Sequence, residues 1–260
     1  MRGLWKVFRG GVEALRGVDL EAREGEVLVL LGPNGSGKST LLNTIAGLLR
    51  PTRGVVRVFG SDPRRLTPRE RRQIGMLHES LGIPGPLRVG DYLEAMASYR
   101  GCGSVEWAVE TLGLGGVLER RIASLSAGYK KRVALAGAVA CRPRLVLLDE
   151  PYSNVDPTTR LLVDRLVSSL AGRSTVILAT HIPPGLAVEA GFRAAIMEEG
   201  RVAAVAPGRC LTVYLLECPG RQRMVAVADP AEATRLVREG CSLAGARAAG
   251  PGEAARCAGG

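Results

Sequence analysis

Short apolar runs, separated by glycines and prolines, set the pattern of the chain. Four of them have the composition of buried strands in a parallel sheet: residues 26–31, 74–79, 145–148 and 175–179. Between these runs, apolar residues recur at helical spacing, in residues 41–49, 133–140 and 161–170. Strands that alternate with helices in this way predict an α/β fold.

The segments around this alternation have other patterns. Residues 4–30 contain short extended pieces separated by glycines, and residues 54–60 resemble one more strand, so we expect a small β subdomain near the N-terminus. Residues 87–140 are helical in character, with Asp91 as the cap of a helix that begins near Tyr92. This change of pattern predicts a helical insert within the β/α core.

The last part of the chain changes character again. A hairpin is predicted in residues 194–205, and two strands and a helix in residues 211–238. The Ala/Gly/Arg-rich tail from Ala244 to Gly260 has a composition typical of disorder. We therefore expect one domain in residues 1–208 and a small extension in residues 209–260.

The 260 residues are 46% hydrophobic, which is enough for one sizeable core. No stretch approaches the roughly 20 apolar residues of a membrane-spanning helix, and the N-terminus lacks the long apolar segment of a secretory signal. We therefore expect a soluble, cytoplasmic protein. The six cysteines form no C-x-x-C pair, which argues against a zinc or iron–sulfur site, and reduced thiols are the expectation.

The formal net charge of +10 favours an anionic partner, whether a nucleotide, a nucleic acid or a phospholipid surface. Five arginines of residues 63–73 concentrate part of this charge. Because no aromatic residues are interleaved with them, we interpret that stretch as a solvated helix face rather than a nucleic-acid patch.

The most informative motif lies in residues 32–40. Gly32, Gly37, Lys38 and Ser39 stand at the spacing G-x-x-x-x-G-K-[ST] of a phosphate-binding loop. Glycines allow successive N–H groups to turn toward one anion, Lys38 adds a positive charge, and the Ser39 hydroxyl can ligate Mg²⁺. The predicted strand before the loop and helix after it supply the context that the motif requires. The expected phosphate contacts are Gly32, Pro33, Asn34, Gly35, Ser36, Gly37, Lys38, Ser39 and Thr40.

Acidic or imidazole side chains end three of the predicted strands: Glu79, the pair Asp149 and Glu150, and His181. Because the carboxyl ends of parallel strands share one edge of a sheet, we expect these groups near the phosphate loop. Asp149 can hold Mg²⁺ together with Ser39, and Glu150 can polarise a water molecule in line with a γ-phosphate. The alternative interpretation of the acidic pair is an ordinary surface turn.

Taken together, the motifs within residues 4–206 resemble the nucleotide-binding subunit of an ABC transporter. The motifs that carry the resemblance, in the family's order, are Gly32–Thr40, Leu125-Ser-Ala-Gly-Tyr129, Leu145–Pro151, Ser153-Asn-Val-Asp156 and His181. The resemblance implies a P-loop NTPase core with a parallel sheet, an N-terminal antiparallel β subdomain and an inserted helical subdomain. It also implies that the chain binds ATP and Mg²⁺ and hydrolyses ATP to drive transport.

The resemblance assigns roles outside the phosphate loop. Ser126 and Gly128 match the family signature, whose serine and glycine amides cap the γ-phosphate of an ATP bound to the opposite subunit. Ala127 and Tyr129 depart from the usual Leu-Ser-Gly-Gly-Gln, but the two capping positions are kept. Asp156 matches the acidic residue that links the two sites across the dimer.

By the same resemblance, Glu150 is the catalytic base and His181 is the switch histidine that contacts the γ-phosphate. Glu79 stands where the family usually has glutamine. Glutamate there occurs in exporter-like members, of the ABC-2 type, and it is a further candidate ligand of Mg²⁺. Phe8 occupies the place of the aromatic residue that stacks on adenine; Trp5 is the alternative, and a core strand position is the other interpretation of Phe8.

The implied assembly is two ATP molecules sandwiched between two copies of the chain, or between the chain and a paired ATP-binding subunit. The assembly would be peripheral on the cytoplasmic face of the cell membrane, where the helical insert passes motion to a separate transmembrane permease. Residues 79–93 are the expected docking face. The transported substrate, the direction of transport and the role of residues 209–260 stay open.

The main alternative is a soluble ABC-type ATPase that acts on nucleic acid or ribosomes, which the positive charge keeps in consideration. The single cassette, without a long coiled-coil insert or a cysteine cluster, argues against it, so no nucleic-acid partner is expected. A non-catalytic regulatory module would be expected to lack Glu150 or His181. A P-loop kinase would not explain the motif at Ser126.

Overall fold

The structure is a computed structural model. It describes residues 1–181, 192–207, 212–217, 225–227 and 242–248, the last three segments by their backbone alone. The strands are β1 (Arg2–Val7), β2 (Glu13–Val18), β3 (Val27–Leu31), β4 (Arg53–Val55), β5 (Ile74–Leu77), β6 (Leu145–Asp149), β7 (Thr175–Thr180), β8 (Arg193–Glu198), β9 (Arg201–Pro207), β10 (Thr212–Glu217), β11 (Val225–Val227) and β12 (Ser242–Ala248). The helices are α1 (Lys38–Ile45), α2 (Pro68–Arg71), α3 (Val89–Arg100), α4 (Glu106–Thr111), α5 (Ala127–Val139) and α6 (Pro157–Leu170).

The central sheet has the strand order β5-β6-β7-β3-β8-β9. The first five strands run parallel, and β9 pairs with β8 in antiparallel fashion as the predicted hairpin. Every residue of β3 and β6 is buried, as expected of strands covered on both faces. The predicted α/β class with a parallel sheet is thereby confirmed.

The two faces of the sheet carry two separate cores, because alternate residues of a strand point to opposite faces. Val27, Val29 and Leu31 of β3 belong to one core, which includes buried side chains of α3, α4, α5 and α6. Leu28 and Leu30 belong to the other, which includes α1 and the β1–β2 region. The sheet thus separates the helical region of residues 89–139 from the N-terminal strands.

The N-terminal sheet has the order β2-β1-β4 and is antiparallel, as the family resemblance implied. The strand predicted over residues 54–60 was too long, because β4 covers Arg53–Val55 only. Phe59 and Gly60 take left-handed backbone angles, φ 53° and 82°, and the backbones of Val58 and Ser61 bond to each other across that turn. A turn of this kind ends the strand.

Two helix predictions need correction. The basic stretch of residues 63–73 is a 3₁₀ turn (Pro63–Arg65) followed by the four-residue α2, which Thr67 caps, rather than one helix. Asp91 is not a cap, because α3 begins at Val89 and Asp91 lies in its first turn. The amide of Val89 instead donates to the carbonyl of Arg120, 3.0 Å away, so a neighbouring segment satisfies it.

The prediction of reduced thiols was wrong for two cysteines. Cys102 and Cys141 form a disulfide, with their Cα atoms 5.8 Å apart, a separation that this bond requires. Cys102 follows α3 and Cys141 follows α5, two helices that pack together. The other four cysteines lie outside the described residues.

The strands β10, β11 and β12 form a third, antiparallel sheet with β10 in the middle. The two predicted strands of the extension are present, and the predicted helix over residues 231–238 lies outside the described residues. The prediction of disorder from residue 244 onward was wrong for residues 244–248, because these residues belong to β12. Alanine, glycine and arginine are not typical strand residues, and only pairing with β10 reveals this strand.

None of the helices in the described ranges is long and apolar enough to cross a membrane.

Candidate active site

The phosphate-binding loop connects β3 to α1, and Gly37 is the N-cap of that helix with φ 100°. A Cβ atom at Gly32 would collide with the carbonyl oxygen of Met197, and one at Gly37 with the carbonyl oxygen of Ala14. Glycine is therefore needed at both positions, at Gly37 for its backbone angle as well. The predicted strand–loop–helix context of the motif is present.

The ammonium group of Lys38 lies against the loop, and only 5% of the side chain is exposed. Its Nζ atom donates to the carbonyl oxygens of Gly32 (2.8 Å) and Pro33 (3.0 Å). The carboxylate oxygen Oε1 of Glu150 lies 3.6 Å from the same nitrogen. One positive charge is thus fixed between the loop and the end of β6.

Ser39 and Asp149 are 110 positions apart in sequence and meet at this edge of the sheet. The Ser39 hydroxyl donates to Oδ1 of Asp149 over 3.0 Å. Burial raises the pKa of Asp149, and the nearby carboxylates of Glu150 and Glu79 raise it further, whereas the bond from Ser39 lowers it. A divalent cation would offset the negative charge that these carboxylates share.

Glu150 and His181 are also brought together. The side chain of Glu150 is 7% exposed, and its Oε2 atom lies 2.9 Å from Nδ1 of His181. Its Oε1 atom is buried and has no hydrogen-bond partner in the described part of the chain. A buried carboxylate oxygen without a donor is costly, so this atom is available to a water molecule or a ligand.

A cleft of about 440 Å³ opens beside these groups. Phe8 lies at this cleft with 38% of its surface exposed, so it is not a core residue, and the ammonium group of Lys6 lies 5.0 Å from its ring centre. Gly32, Pro33 and Ser36 belong to the loop but do not line the cleft. The lining residues are Phe8, Val12, Ala14, Asn34, Gly35, Gly37, Lys38, Ser39, Thr40, Glu79 and Glu150.

Ser126, Gly128 and Asp156 do not line this cleft, and they cluster elsewhere. Ser126 is the exposed N-cap of α5 and accepts from the amide of Tyr129 over 3.4 Å. Asp156 is the N-cap of α6 and accepts from the amide of Thr159 over 2.8 Å. A Cβ atom at Gly128 would lie 2.9 Å from Oδ2 of Asp156, so the two helix beginnings are packed closely at this glycine.

Sequence reasoning missed Lys131, which is 4% exposed. Its Nζ atom donates to the carbonyl oxygen of Glu150 over 2.8 Å and to Oγ of Ser153 over 3.4 Å. Burial lowers the pKa of Lys131, and the carboxylates of Glu150, Glu79 and Asp149 oppose that shift. Nothing in the local sequence separates Lys131 from its neighbour Lys130, because adjacent residues of a helix can both lie on its polar face.

The residues present fit a nucleoside triphosphate with Mg²⁺. The loop has no room for Cβ atoms at Gly32 and Gly37, and Glu150 keeps one buried oxygen free of hydrogen bonds within the described residues. Ser39 and Asp149 supply hydroxyl and carboxylate oxygens, the ligands that Mg²⁺ prefers. Within those residues, no group of three or more His, Cys, Asp or Glu side chains could hold a metal ion.

Comparison with known proteins agrees with this chemistry. The model of the ABC transporter family matches residues 15–153, just over half of the chain. An ABC transporter ATP-binding protein of Gloeobacter violaceus is 40% identical over 216 residues, which cover 77% of this chain and 85% of the relative. The phosphonates import ATP-binding protein PhnC of Anaeromyxobacter dehalogenans is 35% identical over 254 residues, which cover 90% of this chain and 50% of that relative.

Among solved structures, the chain is similar to a dimeric ATP-binding cassette in a post-hydrolysis state, bound to ADP and inorganic phosphate. The two share 28% of residues, with a TM-score of 0.67, over 79% of this chain and 97% of that one. The similarity covers the fold that places the loop and the strand ends described above.

Proposed function

The chain belongs to the ABC transporter family and is an ATP-binding subunit that hydrolyses ATP, and we propose that it drives a separate membrane permease as one of a pair. The observation that carries this proposal is the convergence of three neighbouring strand ends. The loop after β3, the acidic pair at the end of β6 and His181 after β7 meet at one edge of the sheet. The carboxyl edge of a parallel sheet is where such folds bind ligands.

ATP binding is assigned to the loop. Amides of the loop residues that line the cleft, at positions 34, 35 and 37–40, and the ammonium group of Lys38 contact the phosphates, and Phe8 stacks on the base. Ser39 and Asp149 hold Mg²⁺, with Glu79 as a further ligand. The ion, when bound, offsets charge on the phosphates and orients them.

Glu150 and His181 perform the hydrolysis. Glu150 keeps one buried oxygen free of hydrogen bonds in the described region, and this oxygen polarises the attacking water molecule. His181 lies 2.9 Å from the other oxygen with 41% of its side chain exposed. It is thus placed to orient Glu150 and to reach toward the γ-phosphate.

The second half of the site comes from the partner in the pair. Ser126 and Gly128 begin α5 and lie outside the chain's own cleft, which supports a role at the nucleotide of the opposite subunit. Helix beginnings of this kind attract phosphate. Asp156, packed against Gly128, connects this half-site to the same chain's Glu150 through the short segment of residues 151–155.

Residues 1–208 form the ATP-binding domain in this proposal, with the helical insert in about residues 87–140 and the extension in residues 209–260. The insert and the segment of residues 79–93 contact the permease, which keeps the subunit peripheral on the cytoplasmic face of the membrane. Glu79 favours the exporter-like group of the family, of the ABC-2 type. The relatives include the ATP-binding protein of an importer. The proposed direction of transport therefore rests on Glu79 alone, and transport into inverted vesicles that contain the permease tests it.

Steady-state turnover of wild-type protein and of Glu150→Gln tests the proposed chemistry. The wild-type protein is expected to hydrolyse ATP only with Mg²⁺ present, and the variant to bind ATP with unchanged affinity but to lose nearly all turnover. Normal hydrolysis by Glu150→Gln would remove Glu150 as the base. Turnover that depends on RNA or DNA would instead favour the nucleic-acid alternative, which none of the comparisons supports.

A further inference from the structure

Lys131 is a buried cation that forms its hydrogen bonds with groups beside the active site rather than with a carboxylate. Its ammonium group donates to the backbone oxygen of Glu150 and to the hydroxyl of Ser153, at 2.8 and 3.4 Å. Burying an ammonium group costs several kcal/mol unless hydrogen bonds replace water. A neutral polar side chain would serve packing at a smaller cost, so the charge at this position calls for an explanation.

The backbone of Glu150 supplies that explanation. Its φ angle is 47°, in the left-handed region where a residue with a Cβ atom is strained. The amide donates to the carbonyl of Ala179 in β7 over 2.9 Å. The carbonyl oxygen accepts from Lys131 and also from the Ser153 hydroxyl over 2.9 Å. The backbone amide of Ser153 also donates to this carbonyl oxygen, over 3.2 Å, so four bonds hold the strained Glu150 residue in place.

The same lysine lies on the helix that bears the signature residues. Lys131 is five positions after Ser126, the N-cap of α5, which is about 7.5 Å along a helix axis at 1.5 Å per residue. Both residues belong to one continuous helix and its cap. A displacement of the beginning of α5 would therefore move Lys131 and its bond to the carbonyl oxygen of Glu150.

The geometry points to Lys131 as a positioning residue for hydrolysis, which fixes the Glu150 peptide and links it to the helix that faces the partner's nucleotide. This inference rests on the proposed function of Glu150. Lys131 does not line the cleft or contact the phosphate loop, and the cleft residue that it bonds is Glu150, through the backbone carbonyl. It therefore acts on the rate of the chemical step and not on the affinity for ATP. Replacing it leaves the carbonyl of this strained residue with the two bonds from Ser153, one from the hydroxyl and one from the amide.

The test compares Lys131→Met with Lys130→Met, a neighbour on the same helix that is only half-buried. We expect Lys131→Met to lower kcat by roughly 10- to 100-fold, the scale of a misplaced catalytic group. The Kd for ATP, measured by calorimetry, should change by less than about twofold, since binding groups are untouched. Lys130→Met is expected to match the wild-type protein in both quantities.

Three further variants separate positioning from a role in packing. Lys131→Arg keeps a cationic donor and should restore most of kcat. Ser153→Ala removes the hydroxyl donor to the same carbonyl while the amide of residue 153 stays in place. It should lower kcat in the same direction, which keeps the inference testable if Lys131→Met does not fold. In a Glu150→Gln background, Lys131→Met should cause no further loss of residual turnover, because its effect passes through Glu150.

Equal kcat values for Lys131→Met and Lys130→Met would overturn the inference. So would a loss of ATP affinity that accounts for the whole fall in turnover. If the wild-type protein and its Mg²⁺ dependence are normal in the same assay, either result leaves the proposed function standing. Absence of wild-type turnover would contradict the proposed function itself.

Discussion

The carboxylate of Glu150 lies between two basic side chains of the cleft, Lys38 at 3.6 Å and His181 at 2.9 Å. At 7% exposure, a carboxylate needs such partners, because burial without them disfavours the charged form. Lys38 serves a second purpose, since its other hydrogen bonds hold the carbonyls of the phosphate loop. One lysine therefore joins the loop to Glu150, the base of the proposed function.

Lys38→Ala is expected to weaken ATP binding by roughly 10- to 150-fold, because a charge-assisted contact to phosphate contributes about 1.5–3 kcal/mol. Titration of ATP by calorimetry in the presence of Mg²⁺ measures this loss. Lys130→Ala is the matched control, since that lysine lies on α5 and does not line the cleft. An unchanged Kd for Lys38→Ala would count against the loop as the phosphate site.

Much of the site could be predicted because its signals are local. The loop motif fixes Lys38 and Ser39 by spacing, and Asp149 and Glu150 directly follow an apolar run, so a strand end could be inferred for them. The role of Lys131 could not be inferred, because it depends on how deeply α5 packs against the segment after β6. The disulfide between Cys102 and Cys141 escaped prediction for the same reason, since it depends on the packing of two helices.

At the scale of elements, the beginnings of α5 and α6 are packed against each other at Gly128. The nearest atoms to a Cβ there would be Oδ2 of Asp156 at 2.9 Å and Oγ1 of Thr159 at 3.4 Å. Asp156 is held by both the amide and the hydroxyl of Thr159, so it has little freedom to move aside. A glycine at 128 thus lets the cap of α6 lie beside the signature.

Gly128→Ala is expected to displace the Asp156 carboxylate and to lower the free energy of unfolding by about 1 kcal/mol, the usual value of an N-cap. In a protein of this length, that corresponds to a Tm about 2–4 °C lower in thermal unfolding. Gly116→Ala is the control, because no atom lies within 4 Å of a Cβ built there. Equal Tm values for the two variants would argue against the close packing at Gly128.

Glu26 connects the start of β3 to its neighbour β8. Arg193 donates to both carboxylate oxygens, the Nη2 bond measuring 3.0 Å. Burial by itself raises the pKa of Glu26, but the hydrogen bonds from Arg193 and from the Arg23 amide outweigh it, so the pKa is lowered from 4.5. A lowered pKa means that the ion pair stabilises the fold above the unfolded-state value, and that this contribution is lost as the pH falls through the folded-state value.

Glu26→Gln should therefore lower the free energy of unfolding at pH 7 by roughly 1 kcal/mol, the scale of a partly screened ion pair. Urea unfolding should show the difference from the wild-type protein shrinking as the pH falls below 4.5, the ordinary pKa of this carboxyl group. Glu24→Gln is the control, since its pair with Arg144 is mostly exposed. A difference that does not depend on pH would contradict the assignment.

The strand and helix predictions were confirmed where an apolar run is buried on both faces of the sheet. They were wrong where a turn or a contact with another segment sets the end of a strand or helix. The strands β3, β6 and β7 follow from composition. The early end of β4 depends on two left-handed residues, and the start of α3 depends on amides paired with the segment near Arg120. Neither is visible in periodicity, because a turn sets the first and contacts with a segment distant in sequence set the second.

At the scale of the whole molecule, the proposed function divides a nucleotide site between two parts of one chain. In that proposal, the cleft with Lys38 and Glu150 is one half, and the beginning of α5 with Ser126, outside that cleft, is the other. A half-site exposed at a helix beginning is used when a second copy closes over it. The α/β class could be predicted from the alternation of strands and helices alone. The third sheet, which lies in the extension, could not be predicted, because it depends on backbone pairing that composition does not reveal.

The central claim is that ATP joins two copies of the chain. Analytical ultracentrifugation of Glu150→Gln, with and without ATP and Mg²⁺, tests it most directly, because blocked hydrolysis keeps the sandwich closed. The account predicts a particle of 27.4 kDa without nucleotide and one of twice that mass with ATP, reversed by Ser126→Arg at the contact. A protein that binds ATP but stays at the monomer mass at every concentration tested would contradict it.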